Sequence, residues 1–223
     1  MRSTTPRDLT GHCRRCLLQL EICVCGVLPR VEARTEIFLI RHITERLLTS
    51  NTGRFAALAL PNSRLLEYGG GDPFDAAPLC APKTALLYCS GPARPLPFAP
   101  ERLIVLDGSF RQARRMYKRV PELRELPELS LPAPQITPTR LRRPTQPEGM
   151  STIEAIAAAL SALEGAELAA PLWALHAELV TRADHMRGRK REIVASGPQL
   201  GLERGLLQNG PPGRSSPAGR RRH

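Results

Sequence analysis

No stretch of this 223-residue chain approaches the roughly 20 apolar residues that a membrane-spanning helix needs. The amino terminus, residues 1–7, also lacks the apolar core of a secretory signal peptide. We therefore expect a cytoplasmic protein with no membrane among its partners. In that reducing compartment, clustered cysteines are typical of metal sites rather than disulfides.

Several catalytic motifs are absent as well. The sequence has no GxxxxGK[ST] phosphate-binding loop, no GxGxxG dinucleotide fingerprint and no GxSxG nucleophile elbow. It also has no cysteine–histidine arrangement suited to nucleophilic catalysis. ATP hydrolysis, nicotinamide redox chemistry and serine hydrolysis therefore find no support in the sequence.

Acidic residues are scarce relative to basic ones, 21 against 32, which gives a formal net charge of +11. Such an excess indicates a polyanionic partner, because each cation set against a phosphate releases condensed counterions. Nine basic residues against two acidic ones lie from residue 187 onward, so a solvated surface with a basic tail is the plain alternative. Residues 187–223 are rich in Gly, Pro, Ser and Arg, which predicts a disordered tail.

Four of the six cysteines lie close together near the amino terminus, at Cys13, Cys16, Cys23 and Cys25. Two cysteine pairs at this spacing predict a tetrahedral Zn²⁺ site, since so short a segment cannot bury a core without one. Strained disulfides or free thiols are the alternative. We expect residues 1–33 to form a zinc-binding knuckle that presents Arg14 and Arg15 to RNA.

Strand and helix patterns alternate through residues 34–186, which predicts an α/β domain with a mainly parallel sheet. Apolar runs at 35–40, 84–88 and 103–106 predict buried strands. Helices are predicted over 51–60, after residue 110 and from 151 to Gly165. Pro171 is predicted to open the last helix, over 172–186.

A carboxylate and a hydroxyl, Asp107 and Ser109, follow the apolar strand 102–106 and precede Phe110. Open α/β sheets bind ligands at the carboxyl ends of their strands. Asp107 is a candidate general base, a ligand anchor or a helix cap. Basic side chains follow one helical turn later, at Arg111, Arg114 and Arg115, as in a site for an anionic substrate.

Two other helix starts offer groups that could bind a ligand. The backbone amides of Asn51-Thr52-Gly53 suit a carboxylate or phosphate, although capping alone explains these residues. Ser151, Thr152 and Glu154 form a capping box, whose further function needs outside support. His42, just past a strand, either reaches the site or lies in a solvated loop.

Jointly and in this order, these motifs resemble the DTW-domain family of tRNA-uridine aminocarboxypropyltransferases. The resemblance runs from Cys13 to about Met186. It rests on the four cysteines and on the segments His42-x-x-Glu45, Asn51-Thr52, Leu86-Leu87-Tyr88, Leu106–Phe110, Gln112-Ala113-Arg114, Leu141-Arg142 and Ser151–Ala155. The family motif Asp-x-Thr-Trp is here Asp107-x-Ser109-Phe110, which keeps the hydroxyl and loses the indole N–H.

The resemblance implies a SPOUT-like α/β fold with a knotted cofactor site. It implies transfer of the 3-amino-3-carboxypropyl group of S-adenosylmethionine to N3 of a tRNA uridine, releasing methylthioadenosine. Asp107 and Ser109 are then the expected catalytic residues. Expected at the cofactor are Asn51, Thr52, Leu87, Tyr88, Leu106, Asp107, Phe110, Ser151, Thr152 and Glu154. Expected at the RNA are Arg14, Arg15, His42, Arg111, Arg114, Arg115, Arg142 and Arg143.

Several alternatives stay open at the level of the sequence. Asp107 either accepts the N3 proton of the uridine or binds the amino group of the methionine moiety. The protein could instead be a SPOUT-type RNA methyltransferase, or a non-catalytic zinc-containing RNA-binding protein. The same chemistry on another acceptor, such as rRNA, is a further alternative. We expect a monomer.

Overall fold

The computed structural model describes residues 8–71, 73–88, 96–131, 141 and 149–188. Within these ranges five strands form one sheet in the order β2-β1-β4-β3-β5, and every pairing is parallel. The strands are β1 (Glu36–His42), β2 (Ser63–Tyr68), β3 (Thr84–Leu87), β4 (Arg102–Asp107) and β5 (Glu128–Leu129). The predicted α/β class with a mainly parallel sheet is confirmed, while the knot stays a prediction.

The described helices are α1 (Thr52–Ala59), α2 (Phe110–Arg119), α3 (Pro121–Glu125), α4 (Thr152–Glu164) and α5 (Ala166–Met186). Short 3-10 helices lie at Leu20–Ile22, Ile43–Glu45 and Ala77–Cys80. Within these ranges, none of the helices combines the length and the apolar character that crossing a membrane requires.

Helices cover both faces of the sheet, which explains why its central strands are apolar on both sides. Ile37 and Leu39 of β1 contribute to one core, which α1, α4 and α5 cover. Phe38 and Ile40 of the same strand contribute to the other core, which Met116 of α2 helps to close. The carboxyl ends of all the strands therefore lie at one edge between two helical layers.

Gly165 ends α4 with a backbone φ of +112°, as the sequence predicts. The prediction that Pro171 opens the last helix is wrong, because α5 begins at Ala166 and contains Pro171. A proline inside a helix removes one backbone hydrogen bond. The buried apolar face of α5, which includes Ala169, Leu172 and Leu175, packs into the core and stabilises the helix through this position.

The amino-terminal knuckle packs into the same core as α5 and the sheet. Cys16, Leu18 and Val24 are buried there. Arg182 of α5 donates a hydrogen bond to the backbone carbonyl of Cys23. The knuckle thus contributes side chains to the main core. The predicted tail beyond residue 188 lies outside the described residues.

Candidate active site at the carboxyl edge of the sheet

Asp107 lies at the carboxyl end of β4 with 1% of its surface exposed. Its Oδ2 accepts a hydrogen bond from Asn51 Nδ2 at 2.7 Å. Its Oδ1 accepts one from Thr152 Oγ1, also at 2.7 Å. The strand end thereby joins the amino-terminal ends of α1 and α4. Residues from all three segments were expected at the same cofactor site.

Helix α1 starts in direct contact with the Asp107 carboxylate. A Cβ atom added to Gly53 would lie 2.5 Å from Asp107 Cγ. Asn51 caps the helix, because its Oδ1 accepts from the backbone N–H of Arg54 at 3.0 Å. The same Asn51 side chain therefore caps α1 through its oxygen and holds Asp107 through its nitrogen.

The electrostatics at Asp107 combine opposing effects. Burial is the largest and raises the pKa of the carboxyl, whereas the hydrogen bonds from Asn51 and Thr152 lower it. The Glu45 carboxylate raises this pKa further and the Arg41 guanidinium lowers it. The net direction is upward, because removing a carboxylate from water disfavours its charged form.

Two buried arginines beside Asp107 were not identified from the sequence. Arg41 of β1 is in register with Asp107 on one side and Glu67 of β2 on the other, and it forms an ion pair with Glu67. Arg54 donates to the backbone carbonyl of Leu48 at 3.0 Å and to that of Arg46. Neither role has a local sequence signature, since each depends on strand pairing or on how the loop folds back.

Ser109 and Phe110 lie at the start of α2. Ser109 caps the helix, because its hydroxyl oxygen accepts from the backbone N–H of Gln112 at 3.4 Å. In return, the backbone N–H and the hydroxyl of Ser109 both donate to Gln112 Oε1, at 2.6 and 2.7 Å. Phe110 is 40% exposed, which is unusual for a large apolar side chain in this protein. The hydroxyl of the predicted catalytic motif thus stabilises the helix, and the aromatic ring faces solvent at the edge of the sheet.

The start of α4 supplies three predicted cofactor residues. Glu154 is 2% exposed and accepts the backbone N–H of Ser151 at 2.8 Å, which confirms a capping box. The Ser151 hydroxyl faces the backbone N–H of Glu154 without hydrogen-bond geometry. Its buried oxygen has no hydrogen-bond partner within the described part of the chain. The Thr152 hydroxyl donates its hydrogen bond to Asp107.

The other predicted cofactor residues differ in accessibility. Leu87 is buried in the core on the α1 side of the sheet. Leu106 and Tyr88 are partly buried on the opposite side. The Tyr88 ring stacks on Tyr117 with ring centroids 4.4 Å apart. Leu87 can therefore meet a ligand only through its backbone, whereas Tyr88 and Leu106 keep some exposed side-chain surface.

The arginines of α2 are exposed and point to two flanks of the helix, as their spacing predicts. Burial is the main reason that the pKa of Tyr88 is raised, and the Glu128 carboxylate raises it further. The positive charge of Arg114 opposes this increase. The pKa of His42 is lowered, mainly because the side chain is partly buried. The Glu45 carboxylate opposes this decrease, and the charge of Arg115 adds to it. Arg14, Arg15 and Arg111 are also exposed. Arg142 and Arg143 lie outside the described residues.

His42 lies beside a cleft of about 700 Å³ at the carboxyl ends of β1 and β2. Its lining includes Tyr68, Phe74, Arg115 and Arg119 as well as Glu122. Of these, only His42 and Arg115 were singled out from the sequence. Tyr68 and Phe74 follow no motif, and only the pairing of β2 with β1 brings them to His42.

The four amino-terminal cysteines form a candidate metal centre. Cys13 and Cys25 have their Sγ atoms 3.6 Å apart, and Cys16 and Cys23 have theirs 3.7 Å apart. All four sulfurs lie within 4.8 Å of one another. Zinc–sulfur bonds of about 2.3 Å place tetrahedral sulfurs roughly 3.8 Å apart, so the cluster has the dimensions of a zinc site.

Backbone geometry favours a thiolate at one of these cysteines. The N–H groups of Cys16 and then Arg15 lower the pKa of the Cys13 thiol to about 6. Burial is the main reason that the pKa of Cys25 is raised. A bound cation would favour the deprotonated form of all four, which is how metals and cysteine clusters stabilise each other.

The model of the DTW-domain family matches residues 11–184 of the chain. The tRNA-uridine aminocarboxypropyltransferase 2 of Drosophila melanogaster is 29% identical, over 73% of this chain and 70% of the relative. The protein of the same name from Macaca fascicularis is 25% identical, over 86% of this chain and 71% of its own. A solved SAM-dependent rRNA acp-transferase from Vulcanisaeta distributa has a TM-score of 0.45 and 18% identity, covering 69% of this chain and 79% of that one.

Proposed function

The chain belongs to the DTW-domain family, and from this we propose that it transfers the 3-amino-3-carboxypropyl group of S-adenosylmethionine to N3 of a tRNA uridine. In this reaction the bond from N3 to the methionine γ-carbon forms while the carbon–sulfur bond breaks. The N3 proton is released to solvent, and the electron pair of the broken bond leaves with methylthioadenosine. The observation that carries the proposal is the extent of the family match, residues 11–184, which includes the four cysteines, the whole carboxyl-edge site and most of α5. Both relatives named above are tRNA-uridine aminocarboxypropyltransferases.

The residues at the carboxyl edge fit such a donor. Bound S-adenosylmethionine supplies an electrophilic carbon next to its sulfonium sulfur. The Ser151 hydroxyl, which has no partner among the described residues, offers a polar contact, and the exposed ring of Phe110 offers a flat apolar surface. We propose that these groups, with the exposed parts of Tyr88 and Leu106, hold the donor. Aiming one carbon at the acceptor nitrogen is a positioning task, and positioning supplies much of the rate enhancement in such reactions.

For Asp107 we propose a positioning role in this reaction. Both of its oxygens accept hydrogen bonds and it is almost fully buried, so it fixes Asn51 and Thr152 at the helix starts that face the donor. The sequence-based hypothesis that Asp107 is the general base remains the alternative, and its raised pKa is compatible with accepting a proton. A base would need one of these oxygens to become accessible to the uridine.

The basic surface and the cysteines have separate proposed tasks. We propose that the exposed arginines of α2 and the knuckle contact phosphates of the tRNA, which suits RNA recognition through splayed bases and backbone charge. The cysteines would hold a structural Zn²⁺ that fixes the knuckle against α5. A knotted chain path at the donor site, a cytoplasmic location and a monomeric state remain predictions from the sequence.

The proposed reaction is tested with two forms of S-adenosylmethionine, one labelled in the methionine carboxyl carbon and one in the methyl carbon. Each is incubated with the protein and tRNA, and the nucleosides and the spent cofactor are analysed by mass spectrometry. We expect carboxyl label in 3-(3-amino-3-carboxypropyl)uridine and one methylthioadenosine per transfer.

Other outcomes assign the protein differently. Methyl label in the RNA together with S-adenosylhomocysteine would make the protein a methyltransferase. Transfer to rRNA and not to tRNA would replace the acceptor. Binding of tRNA with neither label transferred would support a non-catalytic RNA-binding protein.

A further inference from the structure

The cleft beside His42 has walls that suit a nucleobase. His42 and Tyr68 have ring centroids 6.2 Å apart with planes tilted by 49°, and Tyr68 meets Phe74 edge-on at 5.7 Å. None of these rings is stacked face to face on another, and all three side chains are only partly buried. Aromatic surfaces of this kind bind single-stranded nucleic acid by stacking, whatever the base.

One side of the cleft is positively charged. Arg115 and Arg119 are one helical turn apart on α2 and both line the cleft, and Glu122 supplies the one carboxylate among its described lining residues. Among the described residues neither guanidinium forms an ion pair. Two such arginines next to aromatic rings match the two parts of a nucleotide, its phosphate and its base.

The cleft is adjacent to the site at Asp107. A Cβ atom added to Gly108, the residue after Asp107, would lie 3.6 Å from His42 Cβ. Gln112 links the two places, since its side chain is bonded to Ser109 and donates to Thr44 Oγ1 at 2.6 Å. A base in the cleft would thus be adjacent to the strand end where the family motif lies.

Charge distinguishes the two reactants at this position. S-adenosylmethionine carries a sulfonium, an ammonium and one carboxylate, so its net charge is positive. Among the described lining residues, two arginines against one glutamate disfavour it. An RNA phosphate is favoured by the same groups. The volume of about 700 Å³ lies within the range of small-molecule sites.

We propose that this cleft binds the acceptor nucleotide of the RNA, with its base against His42, Tyr68 and Phe74 and its phosphate at Arg115 and Arg119. Only the identification of this nucleotide as the acceptor rests on the proposed function. Nucleotide binding in the cleft is a separate property that does not depend on transfer.

The test compares two double variants that each remove two positive charges. Arg115→Ala with Arg119→Ala removes both arginine charges from the lining of the cleft. Lys118→Ala with Arg124→Ala removes exposed charges that do not line the cleft. For the first variant we expect the KM for tRNA to rise about ten-fold or more and its salt dependence to fall by about two counterions, with the KM for S-adenosylmethionine unchanged. For the second we expect no such change in salt dependence.

A binding measurement separates this proposal from the proposed reaction. Uridine 5′-monophosphate is titrated into the wild-type protein while the ring signals of His42 are followed by NMR. We expect these signals to shift in the wild type and in the Lys118/Arg124 variant, and not in the Arg115/Arg119 variant. If the His42 signals shift but no group is transferred to tRNA, the proposed reaction is rejected and nucleotide binding in the cleft is retained.

The opposite result would overturn the cleft. If tRNA is modified normally, the Arg115/Arg119 variant keeps the wild-type KM for tRNA and the nucleotide leaves His42 unshifted, the acceptor binds elsewhere. Replacing Tyr68 with Leu gives an independent check, since it preserves apolar volume in β2 and removes the ring. We expect a rise in the KM for tRNA there too, with no loss of charge.

Discussion

Asp107 accepts one hydrogen bond from each of two side chains that belong to different helices, Asn51 at the cap of α1 and Thr152 in the first turn of α4. Its burial would be costly without these donors, because a carboxylate loses its hydration when it leaves water. The residue therefore connects three elements at the same point. Its family-motif neighbour Phe110 has the opposite environment and remains exposed.

Replacing Asp107 with Ala should lower the free energy of unfolding by about 2 to 3 kcal/mol, because the Asn51 amide and the Thr152 hydroxyl lose their buried acceptor. Asp107→Asn should cost about 1 kcal/mol or less, since its carbonyl can accept from Asn51 while its amide donates to the Thr152 oxygen. Urea denaturation at neutral pH measures both values.

The same pair of variants addresses the role of the charge. If Asp107→Asn is as unstable as Asp107→Ala, the negative charge itself is needed for the fold and the positioning role fails. If Asp107→Asn is stable and binds tRNA but no longer transfers the group, the carboxylate acts on a reactant, as the general-base hypothesis requires.

At the scale of elements, the site is built where α1, α2 and α4 begin beside the carboxyl ends of the strands. Each of the three helices starts with a side-chain cap or capping box, at Asn51, Ser109 and Ser151. The caps fix where each helix starts and so fix the groups that face the edge of the sheet. The approach of α1 is the closest, because Gly53 lies against the Asp107 carboxylate.

Gly53→Ala should destabilise the protein, although alanine is the better helix former by about 1 kcal/mol. The added Cβ would lie 2.5 to 2.7 Å from three atoms of the Asp107 carboxyl group, so α1 or β4 must shift. We expect a loss of about 1 to 3 kcal/mol, as for other overpacked sites. Thermal denaturation measures it.

Gly26→Ala is the matched control, because a Cβ atom there meets nothing within 4 Å. We expect this variant to remain within about 0.5 kcal/mol of the wild type. A Gly53→Ala protein that is more stable than the wild type would show that α1 does not approach Asp107 this closely.

At the scale of the whole molecule, the knuckle and the α/β domain share one hydrophobic core. Cys16 is fully buried in the core to which α5 contributes, and Arg182 of that helix is bonded to the backbone of Cys23. Holding the four cysteines in place therefore also orders part of the main core. A metal ion there would stabilise the entire protein, since binding to the folded state alone shifts the folding equilibrium.

Removing the metal should therefore lower the melting temperature of the whole protein in a single transition. We expect one zinc per chain by metal analysis and a loss of at least about 3 kcal/mol, or roughly 6 to 12 °C, on chelation. Cys80→Ser, at an exposed cysteine outside the cluster, should leave both the zinc content and the chelator effect unchanged.

Two outcomes would contradict this prediction. A melting temperature that responds to a reductant and not to a chelator would indicate disulfides in place of the metal. Separate melting of the knuckle, with the main transition unaffected, would show that the shared core does not couple the two parts.

Parts of the fold were predictable because they depend on local patterns. Strands β1, β3 and β4 are continuous apolar runs, and the capping box at Ser151 and the terminator at Gly165 are short motifs. Strand β2 was missed because Ser63–Tyr68 carries charged residues at a sheet edge, and β5 because it has only two residues. The start of α5 was placed too late because proline is favoured at the first position of a helix. The packing that keeps the residues before Pro171 helical is not visible in the sequence.

The candidate site divides in the same way. Asn51, Asp107 and Thr152 were each identified from their position next to a strand or helix end, and the structure brings them into contact. The cleft was not predicted as a unit. Tyr68 reaches His42 because β2 pairs with β1, and that pairing is non-local.

The local chemistry of this protein could be inferred without a structure: the cysteine spacing, the helix caps, the apolar strands and the ordered motifs of the family. These depend on residues within a few positions of one another, where backbone geometry leaves little choice. The folded chain was needed to show that β1 lies between β2 and β4, which places Arg41 beside Asp107 and His42 beside Tyr68. Strand order follows from hydrogen bonds and packing between distant segments, and no local pattern encodes those.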